Sequence, residues 1–114
     1  MNEARRAVAC AKWRWMDGMM GVTAHDPSYR RCRMTGGLLR GRTISGWAPG
    51  SWLPDFTDPA TVGCLLALVR EAWGESLIYA CPASFGWSVS APLARTLCNA
   101  DTEAEALVAA LEAA

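Results

Sequence analysis

The chain reads as an α+β domain: an antiparallel sheet of short hairpins with a central core helix at about 58–73, a short N-terminal helix and a C-terminal helix. Three observations predict it. Helical periodicity is confined to three separated stretches, and between them lie short β-like runs punctuated by glycine pairs and prolines. Hydrophobic residues make up 52% of the 114 residues against 19% charged, enough for a core and far from the composition of a disordered chain. The length fits one domain over 1–114, and no apolar run approaches the roughly 18 residues of a membrane helix.

The elements follow in order. Residues 3–11 place Ala4, Val8 and Ala11 on one side of a short helix, beside Arg5 and Arg6. In "KWRWMDGMMGVTA", Asp17-Gly18 signals a type I′ hairpin, which would pair Met16 with Met19, Trp15 with Met20 and Trp13 with Val22. "SYRRCRMTGGLLRGRTISGW" predicts a second hairpin about Gly36-Gly37, with Arg31 and Arg33 on one side and Arg30, Cys32 and Met34 on the other. "GWAPGSWLPDFTDP" carries Pro49, Gly50, Pro54 and Pro59 among Trp47, Trp52 and Phe56, and reads as an ordered connector.

Asp58 then suits an N-cap and Pro59 the first helical position, with Val62, Leu66, Val69 and Trp73 on one face, widened by Cys64, Leu65 and Leu68. Gly74 closes this helix. Runs 77–81 and 85–90 predict a hairpin in which Pro82 excludes a central strand. Asp101 or Thr102 caps a last helix that buries Ala104, Leu107, Val108 and Leu111 and turns an acidic face outward.

Charge is balanced in total but not along the chain. Residues 1–42 hold nine basic and three acidic side chains, and residues 43–114 two and eight, so the halves stand at +6 and −6. Contacts between the halves would neutralise them, and an uncompensated remainder would steer partners. Five widely spaced cysteines without a CxxC fit neither a disulfide framework nor a zinc site, so they are expected as reduced thiols. "MNEARRAVACAKW" has no apolar signal stretch, and a cytoplasmic location is the expectation.

"WRWMDGMMGV" followed by "WLPDFTDPATVGCLLALVREAWG" resembles a group of small proteins encoded by tailed bacteriophages and prophages, over roughly residues 7–75. Many of these carry Pro at the position of Asp17. The resemblance implies a phage-derived protein acting in the host cytoplasm, in a size class that includes accessory and anti-defence factors such as CRISPR inhibitors.

Catalysis finds little support. His25 is the single histidine, so a thiol-dependent enzyme would have to route through His25 and Asp26 with a thiol such as Cys10 or Cys32, in what reads as a solvated turn. No cofactor or metal is implied: Asp55 and Asp58 read as a turn former and a cap, and "TGGLLRGRT" lacks a P-loop ending. Binding is the better expectation. Arg30, Arg31, Arg33, Arg40 and Arg42, with Tyr29 among them, form a basic surface, and Trp47, Trp52 and Trp87 are anchor candidates. Asp101, Glu103 and Glu105 offer an acidic surface to an Arg-rich partner. The expected partner is a host protein or defence complex; nucleic acid bound by the basic hairpins is the alternative, and a homodimer through an uncovered sheet is compatible with either.

Overall fold

The computed structural model describes residues 2–24, 30–93 and 95–114. It has the predicted α+β character, with helices α1 (Asn2–Ala9), α2 (Pro59–Trp73) and α3 (Glu103–Ala113) and eight short strands, all paired antiparallel. Contacts divide the chain into two compact units, residues 1–13 with 65–114, and residues 14–64. No helix among the described residues is long and apolar enough to cross a membrane.

In the first unit β6 (Tyr79–Ala83), β7 (Gly86–Ala91) and β8 (Arg95–Ala100) form a meander with β7 in the centre. Pro82, which has no N–H for a ladder, lies on edge strand β6 as expected. The third strand, β8, was not foreseen from the sequence: its polar, Arg- and Asn-bearing run has weak strand character, and a bulge interrupts its pairing at Val89/Ser90. At the β6–β7 turn Gly86 has φ 133°, and a Cβ there would lie 2.5 Å from the Ala100 carbonyl oxygen, so no side chain fits.

α3 covers the sheet with Ala104, Leu107, Val108 and Leu111 buried, and α1 packs on α3. Thr102 is the cap, its hydroxyl accepting from the Glu105 N–H at 3.1 Å. The predicted α1 stripe is shifted: Ala4 and Ala7 are buried, whereas Ala11 lies beyond the helix and is exposed. On α2 the buried line runs through Leu65, Leu68 and Val69, so Val62, Leu66 and Trp73 flank the core rather than centre it. The helix ends as expected, with Gly74 at φ 64°, its N–H donating to Glu71 and that of Glu75 to Arg70, a Schellman arrangement.

The second unit is built differently. β1 (Met20–Thr23) is the centre of a three-stranded sheet between β2 (Arg31–Arg33) and β5 (Trp52–Pro54). The hairpin predicted about Asp17-Gly18 is absent. Positive φ occurs at Gly18 but not at Asp17, so the turn is not type I′, and 13–16 form no strand. Met20 and Val22 instead oppose Arg33 and Arg31. The segment read as a connector supplies β5, an edge strand where Pro54 is tolerated.

Gly36-Gly37 does turn the chain, with both φ values positive and reciprocal hydrogen bonds between Thr35 and Leu38 at 3.0 Å. A second two-residue turn follows at Arg40-Gly41, joining β3 (Leu38–Leu39) to β4 (Arg42–Thr43). A small core of Met34, Leu39 and Trp52, flanked by Trp15, Cys32, Ile44 and Trp47, closes this unit. Gly21 is required beneath it, because a Cβ there would meet Trp52 at 3.1 Å and Leu39 at 3.4 Å.

Candidate functional site

The basic residues on β2 are not a free surface. Register places Arg31 and Arg33 on one side of the strand, and both reach the segment before α2. Arg31 donates from Nη2 to Asp55 at 2.6 Å, and Arg33 donates through both terminal nitrogens to the two Asp58 oxygens at 3.0 Å, with a further bond to the Gly18 carbonyl at 2.8 Å. Asp58 also accepts from the Thr61 N–H at 3.0 Å and the Thr61 hydroxyl at 2.8 Å, so it caps α2 while clamping β2. The buried Thr61 hydroxyl in turn accepts the Met20 N–H at 2.8 Å.

These contacts fix the electrostatics. The Arg33 fork holds the Asp58 carboxyl well below the usual carboxylate range against a smaller opposing effect of burial, and Thr61 adds to the depression. Burial pushes Asp55 up, but hydrogen bonds from Thr57 and Arg31 together outweigh it and leave the carboxyl lowered. In the other unit Arg6 pairs with Glu112 and lowers its carboxyl. Each of these three pairs joins a basic residue of 1–42 to an acid of 43–114 and together they cancel half of the +6/−6 imbalance.

Elsewhere the predicted surface divides. Arg30 is exposed, with its backbone N–H bonded to the Thr23 hydroxyl at 3.1 Å. Arg40 is exposed and forms no ion pair among the described residues, and it sits at the first position of its turn with φ 52°. Arg42, also exposed, lies over the Trp47 ring at 4.9 Å from the centroid. Trp47 is half-buried, donates its indole N–H to the Leu39 carbonyl at 3.0 Å and meets Trp52 edge to face at 5.5 Å. Trp52 is 3% exposed and belongs to the core, so it is no surface anchor, a role barred by its place in β5. Trp87 is half-buried in β7, opposite Pro82 and Ala100.

The structure therefore places Arg40, Arg42 and Trp47 at or next to one hairpin, with exposed Leu38 on the face opposite Arg42, and commits Arg31 and Arg33 to the fold. Leu38 was missed in the sequence, although its neighbour Leu39 across an alternating strand signals that one of the two must face outward. Asp101, Glu103 and Glu105 gather at the start of α3 in the other unit; Glu103 and Glu105 are half-buried in the first turn, where they complement the helix dipole.

His25, Asp26 and Tyr29 lie outside the described residues. Cys10, Cys32, Cys64, Cys81 and Cys98 are free and half-buried; burial first, and then the charge of Asp58 or Glu112, raises the thiols of Cys64 and Cys98, which opposes thiolate formation. No group of three or more His, Cys, Asp or Glu side chains among the described residues is placed to hold a metal ion. No protein-family model, curated protein or solved structure matches this chain.

Proposed function

We propose that the chain is a non-catalytic binding protein which acts by occupying the surface of a host protein or defence complex, through the hairpin that carries Arg40 and Arg42. The observation that supports this reading is the contrast among the arginines. Arg31 and Arg33 are neutralised by Asp55 and Asp58, while Arg40 forms no ion pair among the described residues and Arg42 rests on a tryptophan. Exposed guanidinium groups beside a half-buried tryptophan have the composition of interface anchors. The resemblance to small phage proteins supports an accessory, host-directed role.

The test is affinity capture of the tagged protein and of an Arg40→Asn/Arg42→Lys variant from host lysate, with and without nuclease. A defined protein complex that survives nuclease and is lost in the variant is the expected result. Nucleic acid is the second reading, and it draws on the same two cations. Capture that disappears with nuclease would transfer the assignment to it, with a steep salt dependence as its mark.

A further inference from the structure

Resting on the binding reading, we propose that the β3–β4 hairpin is a receptor for an acidic protein segment, with Arg40 and Arg42 each taking a carboxylate. The argument begins with backbone conformation. Arg40 and Gly41 have φ of 52° and 79°, the pattern of a type I′ turn, whose first position suits Asn or Gly. A long cationic side chain stands there in the left-handed region, exposed and without an ion pair among the described residues.

Arg42 is presented differently but to the same effect. Its guanidinium carbon lies over the Trp47 ring at 4.9 Å from the centroid, and a guanidinium offers a fork of N–H donors that matches a carboxylate. The ring beneath it is already engaged, by Arg42 on a face, by Trp52 at 5.5 Å and by Leu39 through its N–H. That leaves Trp47 poorly placed to stack a base, which sequence-tolerant single-strand binding requires.

Magnitude also favours a protein. Neutralisation of Arg31 and Arg33 removes the two residues that would extend the cationic track along β2. Arg40 and Arg42 supply fewer phosphate contacts than the roughly 6–10 at which nucleic-acid affinity falls steeply with salt. They suffice for two charge-assisted bonds to a peptide.

The full chain, immobilised, is used to select displayed random peptides, and the best peptide is measured against wild type, Arg40→Asn, Arg42→Lys and the double variant, with oligothymidylate as competitor. Asn tolerates the left-handed turn, and Lys keeps the stem and charge over Trp47 while losing the fork, so both variants retain the fold. The expected result is enrichment of paired acids. Affinity should fall about tenfold for each arginine replaced, and again when the peptide's Asp and Glu become Asn and Gln. Selected peptides without acids, affinity insensitive to both substitutions, no enrichment at all, or oligothymidylate displacing the peptide through the two arginines would each overturn the inference. Lysate capture persisting alongside such a failure would leave the binding reading intact and reject only the acidic partner.

Discussion

The three strands of residues 65–114 are five or six residues long and lie beneath a helix whose buried side chains are aliphatic, while no strand of residues 14–64 exceeds four. What the shorter strands lack in ladder length is supplied by side chains. Asp17 accepts the Gly37 N–H at 2.7 Å and holds a turn, Thr61 receives Met20, and Asp55 and Asp58 tie β2 to the start of α2. One unit is thus closed chiefly by apolar burial and the other by carboxylates acting as cross-links. The two should fail under different insults.

The largest effect is expected at Leu107, fully buried on α3. Leu107→Ala should lower unfolding free energy by about 3 kcal/mol and expose β7 and α3 amides to hydrogen exchange. Asp58→Ala comes next, at about 2 kcal/mol from loss of the cap, read by urea unfolding. Its exchange signature should be concentrated in residues 14–64, leaving α3 protected. Equal loss of protection in both units would break the comparison.

Acid sharpens it further. Because Asp55 and Asp58 are depressed in the folded chain, the stability they contribute is present above their unfolded value of about 4 and is lost as pH falls through the folded values. The urea midpoint should therefore drop below about pH 4, with exchange rising first in residues 14–64, and Asp55→Asn/Asp58→Asn should flatten that dependence. The smallest effect is a gain: Arg40→Gly should raise stability by about 0.5 kcal/mol by relieving the left-handed turn, measured as a shift in thermal midpoint.

The same contrast explains what could be read in advance. Asp58, Pro59, Gly74 and Thr102 act within a turn of their own helices, so their roles follow from local chemistry. The β1 pairings do not. Met20 lies opposite Arg33 and its neighbour Gly21 opposite Pro54, and nothing in "MDGMMGV" distinguishes those distant partners from a local hairpin. Asp55 and Asp58 were legible as turn former and cap, but their second role needs Arg31 and Arg33 delivered by that same non-local register. Of the proposed contact residues, Arg40 and Arg42 were visible by charge; that they remain available while Arg31 and Arg33 do not is a property of the folded chain alone.

The pairing of α1 with α3 has a consequence in time. Arg6 and Glu112 are 106 residues apart, whereas residues 14–64 form one uninterrupted stretch with its carboxylate cross-links inside it. As the chain emerges from a ribosome, that stretch has all its partners long before α3 is made. α1, at eight residues, is too short to persist as an isolated helix. Until α3 is made it lacks the helix it packs on, and the unit it belongs to cannot close.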